Sequence, residues 1–315
     1  MSKIRLGISS CLLGEPVRWN GGHKLDRFLT STLGKYVEYV PVCPEVEAGF
    51  GVPRETMRLV GEVESPRLVT TRTKEDMTDR MMEWARRRVV ELEKENLDGF
   101  IFKSDSPSSG MERVKVYGKR GMPEKKGVGL FARAFMDHFP LLPVEEDGRL
   151  HDIKLRENFI ESVFTLHRWR EAVEKEKSRR ILVDFHTRHK LLLMSHSPKH
   201  MKEMGKLVAD PGSHTPADIF NRYQAALLEA VRLKTTTAKN INVLVHVMGY
   251  FKKVLTRDEK QELLEVIETY RRGDFPLIVP VTLLGHYVRK YDESYLKGQV
   301  YLHPHPLELQ LRNHS

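Results

Sequence analysis

The feature that most constrains this chain is a change of rhythm at about residue 150. Before it, short β-branched runs alternate with helical stretches; after it, helical periodicity continues without strand signals. Residues 3–9 (KIRLGIS), 36–41 (YVEYVP), 98–103 (DGFIFK) and 141–144 read as strands. Residues 26–33, 72–96 and 127–139 carry apolar side chains at helical spacing between them. Strands alternating with helices predict a parallel sheet covered by helices, because parallel neighbours need a crossover connection. Beyond the polar turn EEDG at 145–148, helices are expected over 155–177, 180–194, 198–207, 216–234, 240–254, 257–272 and 280–289. Breaks at 197–198, 210–212, 235–237 and 273–274 separate them. The expected fold class is α/β: a Rossmann-like parallel sheet over residues 1–150 joined to an all-α domain over residues 151–315.

A chain of 315 residues is long enough for two cores of ordinary size. It has no uncharged apolar run of the roughly 18 residues a bilayer span requires, and no signal-peptide apolar region. The expected location is the cytoplasm, with no membrane partner. Only two cysteines occur, Cys11 and Cys43, which excludes a disulfide scaffold. Residues 151–315 hold 27 basic against 20 acidic side chains, so most of the net charge of +9 lies there. An excess of that kind favours an anionic partner, nucleic acid foremost, through phosphate contacts and counterion release.

Three loops follow the first three strands: CLLGEPVRWNGGHK from Cys11, VCPEV from Val42 and SDSPSSG from Ser104. In an open parallel sheet ligands bind beyond the carboxyl ends of the strands, so these loops are expected to converge. Two convergent thiols suit a redox pair, a zinc half-site or an iron–sulfur half-site. His23 is the only histidine near them, which counts against zinc. The Ser/Gly-rich loop offers backbone N–H groups rather than zinc ligands, a nest for an anion or for cluster sulfide.

Three motifs then stand in order: C-x-x-G-x-x-V-R-x-x-G-G-x-K at Cys11, P-V-C-P-E around Cys43 and F-K-S-x-S-P-S-x-G from Phe102. Through them residues 1–145 resemble the thiouracil desulfurase family, formerly DUF523. Residues 155–314, ending HPHPLELQLRNH, resemble the helical DUF1722 domain often fused to it. The resemblance implies a desulfidase that converts 4-thiouridine in tRNA to uridine without net redox change. It implies a 4Fe–4S cluster held by three cysteines with one iron left open to take the sulfur. Cys11 and Cys43 match two of those ligands, but the family's Ser-Pro-Ser-Cys-Gly reads Ser-Pro-Ser-Ser-Gly here, with Ser109 at the third position. Glu45 matches the family's catalytic carboxylate and Ser104 the serine that assists at the substrate. A serine hydroxyl is a hard, poor ligand for cluster iron, so an impaired enzyme is expected, with a non-catalytic tRNA-binding protein as the alternative.

Arg54 and Arg58 are candidates for the phosphate or base edge of the substrate, with pairing to acidic neighbours as the equal alternative. In the helical half Arg168, Arg170, Arg179, Arg180, Arg188 and Lys190 are candidate phosphate contacts. Trp169, Tyr223, Tyr250 and Tyr287 are candidates for base stacking. His186, His189, His196 and His200 lie among basic residues rather than at metal-ligand spacings.

Overall fold

The computed structural model describes residues 3–118, 122–209 and 215–313. The chain divides into two compact units, Met1–Asp152 and Ile153–Ser315.

The first unit contains two sheets. Strands β1 (Ile4–Ser9), β2 (Val37–Val42), β5 (Gly99–Phe102) and β8 (Val144–Glu146) form an all-parallel sheet in the order β2-β1-β5-β8. β1 lies inside the sheet with all its residues but the half-buried Arg5 buried, so its run (IRLGIS) is largely apolar rather than alternating. The chain leaves β1 for β2 on one side and crosses to β5 on the other, which makes the β1/β5 boundary a topological switch point. The second sheet, in the order β4-β3-β6-β7, joins β3 (Met57–Val60), β4 (Arg67–Thr70), β6 (Val114–Tyr117) and β7 (Pro123–Gly127). Its β3–β6 pairing is parallel and the other two are antiparallel.

Helices α1 (Pro44–Glu47), α2 (Thr78–Glu93) and α3 (Leu130–His138) complete this unit. α2 buries Met81, Trp84, Ala85, Val89 and Leu92, an i, i+3, i+4 stripe. Their partners are Phe100, Phe102, Phe131 and Phe135, whose rings sit as close as 4.4 Å between centroids.

Several sequence expectations are corrected here. The helix expected over 72–96 begins only at Thr78, because residues 71–76 form the turn that closes β4 through a Val69–Asp76 bridge. The helix expected from residue 127 begins at Leu130, since Gly127 ends β7. The last strand of the parallel sheet lies at Val144–Glu146 rather than 141–144. Residues 26–33 form no regular α-helix but a wide turn, Phe28–Thr32, followed by a tight one, Leu33–Lys35.

The second unit is helical: α4 (Ile153–Lys175), α5 (Arg179–His196), α6 (Pro198–Ala209), α7 (Pro216–Arg232), α8 (Thr237–Tyr250), α9 (Arg257–Arg272), α10 (Ile278–Lys290) and the short α11 (Ser294–Lys297). α9 shows why these were readable locally. Thr256 and Glu259 form a reciprocal capping box, and Gly273 at φ 85° ends the helix in the left-handed conformation.

A buried ion network closes this unit. Arg312 donates to Glu161 at 2.7 Å, to Glu157 at 3.2 Å and to the Tyr301 carbonyl at 2.7 Å. Glu157, Glu161 and His305 lie within 4.8 Å of one another, but the guanidinium already satisfies both carboxylates. The group is an ion network that fastens the C-terminal segment to α4. No described helix is long and apolar enough to cross a membrane.

Candidate active site

All four strands of the parallel sheet deliver side chains to one end. β1 ends at Ser9 and is followed by Cys11; β2 ends at Val42 and is followed by Cys43 and Glu45. β5 is followed by Lys103 and Ser104, and Asp147 comes directly after β8. A cavity of about 440 Å³ lies there, lined by Cys11, Cys43, Glu45, Arg54, Ser104 and Ser109 together with residues from the 17–24 loop. Of the residues singled out in the sequence for catalysis or cluster binding, every one reaches this cavity.

Glu45 is held from two sides. Its Oε1 accepts from the Ser108 hydroxyl at 2.8 Å, and its Oε2 takes the Arg54 Nη2 donor in a short ion pair. The other guanidinium arm of Arg54 donates to the carbonyls of Val17 at 2.9 Å and Gly51 at 3.0 Å. Arg54 is therefore engaged as a scaffold for Glu45 and the 17–19 loop, the acidic-neighbour pairing that the sequence offered beside a substrate contact, and it also lines the cavity. Arg58 is corrected: it does not line the cavity, and its guanidinium packs 4.8 Å over the Tyr117 ring.

Ser104 is positioned by a pair that no motif reading singled out. Lys103 Nζ donates to the Ser104 hydroxyl at 3.0 Å and to Asp147 at 2.9 Å, while the Ser104 backbone N–H donates to Asp147 at 2.7 Å. Asp147 lies inside the turn that reads as a domain boundary in the sequence. Only the placement of β8 beside β5 shows that it faces Lys103.

The serine loop is fixed by the start of α3. Backbone N–H groups of Leu130, Phe131 and Ala132 donate to the carbonyls of Pro107 and Ser108 at 3.0–3.2 Å, satisfying donors that a helix start leaves free. Gly129 makes the approach possible: a Cβ there would lie 2.5 Å from Ser108 backbone atoms and 2.8 Å from the Gly110 nitrogen. Ser108 and Ser109 are both buried, and the Ser109 N–H donates to the Ser106 hydroxyl at 3.1 Å.

Burial pushes the Cys11 thiol up to about 11, against a lowering effect of Lys103. Burial likewise pushes Cys43 up to about 11. Both thiols are free and stay protonated at neutral pH unless a metal takes the proton's place. At the three positions where the family places cysteines, the cavity thus has two thiols and the Ser109 hydroxyl, a set that does not fit a cluster bound through three thiolates.

In the helical unit, Arg168 is corrected: its guanidinium is drawn inward, donating to the Pro304 carbonyl and packing 5.8 Å from the Phe164 ring. Burial pushes its pKa down to about 10. Trp169, Tyr223 and Tyr287 are core residues, 1%, 0% and 2% exposed, so they stack on protein rather than on bases. Tyr250 is exposed but stacks on Tyr295. His186, His189 and His196 are buried. Arg170 is half-buried, whereas Arg179, Arg180, Arg188 and Lys190 are exposed along α5. Arg180 pairs with Glu176 at 3.0 Å and Arg188 with Asp184 at 3.8 Å.

Fold and site together define a two-unit protein: a doubly wound α/β unit with thiols and a carboxylate at its switch point, and a separate helical unit. The comparisons with known proteins supply the family. The model described as 2-thiouracil desulfurase matches residues 6–147, and the model described as a protein of unknown function, DUF1722, matches residues 190–306. The chain is 32% identical over 152 residues to the uncharacterized protein YbgA of Escherichia coli (strain K12), covering 48% of this chain and 90% of that protein. It is 32% identical over 108 residues to the uncharacterized protein YbbK of Bacillus subtilis (strain 168), covering 33% of this chain and 71% of that protein. A solved structure titled as the 4Fe–4S-dependent thiouracil desulfidase TudS shares 27% identity, covering 48% of this chain and 95% of that one at a TM-score of 0.40. The chain belongs to the family that joins a 2-thiouracil desulfurase unit to a DUF1722 unit.

Proposed function

We propose that this chain follows the plan of a cytoplasmic desulfidase for 4-thiouridine in tRNA, and that Ser109 leaves its iron–sulfur site one thiolate short. The observation that carries the reading is the convergence of Cys11, Cys43, Glu45, Ser104 and Ser109 on one cavity at the switch point of the sheet. The net reaction exchanges a thiocarbonyl and water for a carbonyl and hydrogen sulfide, with no change of oxidation state. Water adds at C4 of the pyrimidine and gives a proton to Glu45, whose second oxygen is held by Arg54. Glu45 returns that proton to the sulfur, and as the carbon–sulfur bond breaks the C4 hydroxyl gives its own proton to Glu45 to leave a carbonyl; hydrosulfide takes this second proton and departs as hydrogen sulfide. Ser104, held by Lys103 and Asp147, donates its hydroxyl proton toward the ring.

Because the donor set does not fit a three-thiolate cluster, no step is assigned to one. The exposed cations Arg179, Arg180, Arg188 and Lys190 on α5, and the basic excess of residues 151–315, support tRNA as the partner. Ser109 itself favours a second reading, a non-catalytic tRNA binder. The two separate on one experiment. After anaerobic reconstitution with iron and sulfide, Ser109→Cys is expected to show broad visible absorption and to release sulfide from thiolated tRNA, while the parent chain does neither. A Ser109→Cys protein that stays colourless and inactive sinks the desulfidase plan; if it still binds tRNA, the binder reading stands.

A further inference from the structure

The solvent face of the second sheet carries a group of charges that the cavity does not use. On its other face Leu59, Leu68, Val114 and Val116 are buried in the core. Side chains alternate along a strand, so Arg58 and Lys115, their neighbours in β3 and β6, point the opposite way. Lys125 of β7 is the register partner of Lys115 and shares its face. The β3–β6 register pairs Leu59 with Val116, so one step back along both strands brings Arg58 beside Lys115. The three cations form one row across three adjacent strands, about 10 Å from end to end at ordinary strand spacing. Met57, the β3 residue that lines the cavity, alternates onto the core face, so the row belongs to a different surface.

Like charges directly opposite one another destabilise a strand pair. Elsewhere on this sheet carboxylates answer the cations: Arg67 pairs with Asp76, and Lys126 with Glu124 at 3.2 Å. Among the described residues Arg58, Lys115 and Lys125 form no ion pair, and both lysines are exposed. The Arg58 guanidinium lies 4.8 Å over the Tyr117 ring, and its buried Nε has no hydrogen-bond partner. Lysine on an outer strand such as β7 guards against edge pairing, but β3 and β6 are inner strands, so that explains neither Arg58 nor Lys115. The charge is left for a partner outside the chain. The helical half, with 27 basic against 20 acidic residues, has the wrong sign, and so has a second copy at net +9. Cations spaced along an open sheet face, one of them held against an aromatic ring, fit the successive phosphates of a nucleic-acid backbone.

We propose that Arg58, Lys115 and Lys125 form a second RNA-binding surface, on which the α/β unit holds the phosphate backbone of tRNA away from the nucleotide that enters the cavity. That the polyanion is tRNA rests on the desulfidase reading above; the surface itself requires no chemistry and no thiolated base. Its consequence is a contact that is indifferent to sequence and strongly weakened by salt. The helical unit is then one of two holds on the RNA.

The test uses the full parent chain and a tRNA transcript containing no thiolated base, with binding followed by filter retention across about 50–200 mM KCl. Arg58→Gln, Lys115→Gln and Lys125→Gln combined are expected to weaken binding roughly tenfold or more at the low-salt end. The slope of log affinity against log salt is expected to fall by about 2. Lys115→Gln with Lys125→Gln leaves the Arg58–Tyr117 stack intact and is expected to lower the slope by about 1.4. This double variant also removes the opposed charges, so its melting temperature is expected to be no lower than the parent's; a lower one overturns the premise of uncompensated charge. Lys126→Gln is the control, since Lys126 is already paired with Glu124, and is expected to bind as the parent does. A loss in Lys126→Gln equal to that in the double variant would mean a general charge effect and overturns the surface. So does a triple variant that loses binding to phosphatidylglycerol vesicles while keeping its tRNA affinity. Unchanged tRNA affinity and slope in the triple variant also overturn the surface, and leave the desulfidase reading standing. Binding to tRNA that the triple variant loses, beside a colourless and inactive Ser109→Cys protein, would instead remove that reading and keep the surface.

Discussion

Replacing Arg312 with methionine removes a guanidinium from the middle of the helical unit while leaving a side chain of similar length. The Arg312, Glu161 and Glu157 side chains are 4%, 1% and 9% exposed, so solvent cannot take over the lost contacts. Breaking a buried pair from one side typically costs about 3–5 kcal/mol, because the remaining charge is stranded. Here Glu157 and Glu161 both lose the guanidinium, Glu161 keeping its contact with His196 at 3.1 Å, and contact with the Tyr301 ring, 4.9 Å from the guanidinium, is lost as well. A loss at the upper end of that range is expected, a large part of an ordinary domain's stability of about 5–15 kcal/mol.

The pH dependence supplies the sign. Burial alone would raise the Glu161 carboxyl, but Arg312 and His196 hold it well below the usual range, so its stabilisation is present above about pH 4.5 and lost as pH falls. Glu157 is shifted the other way, upward, by burial and by Glu161, so its contribution fades as pH rises. Without Arg312 burial governs Glu157, and His196 remains beside Glu161 to oppose it there, so the variant is expected to lose more stability at pH 8 than at pH 5. Urea unfolding followed by helical circular dichroism measures both values. Adding Glu157→Gln and Glu161→Gln to Arg312→Met is expected to recover most of the loss, since no charge is then stranded. A loss under about 1 kcal/mol, or a triple variant no more stable than the single one, refutes the stranded-charge argument.

Two further outcomes test the site. With Cys11 and Cys43 pushed up to about 11, mainly by burial, roughly 0.1% of each is thiolate at pH 8, so iodoacetamide is expected to react slowly and ever faster up to about pH 11; a plateau near pH 9 would contradict the burial argument. Gly129→Ala is expected to lower stability by about 1–3 kcal/mol in thermal unfolding, as its Cβ would strike the Ser108 backbone at 2.5 Å; since φ at this residue is −61°, the effect is steric, and an unchanged melting temperature would show that the loop yields freely.

What could be read from the sequence was what is written locally. The capping box at Thr256 and the left-handed Gly273 bound α9 at both ends without help from the rest of the chain. The thiols could be placed after strands because strand, loop and helix follow one another directly, and parallel strands must then bring those loops to one edge. The second sheet could not be read. Its strands are four or five residues long and charged (RLVT, VKVY, PEKKG), and β3 finds β6 only across the intervening α2 and β5. The sequence by itself determined the two-unit organisation, the helical half and the set of cavity residues in the first three loops. Tertiary structure alone decided which charges are working partners: that Arg54 serves Glu45, that Asp147 steadies Lys103 and Ser104, and that Arg168 and Arg312 turn inward. The physical reason is that a cation's role depends on which carboxylates and how much water surround it, and residues distant in the chain supply both.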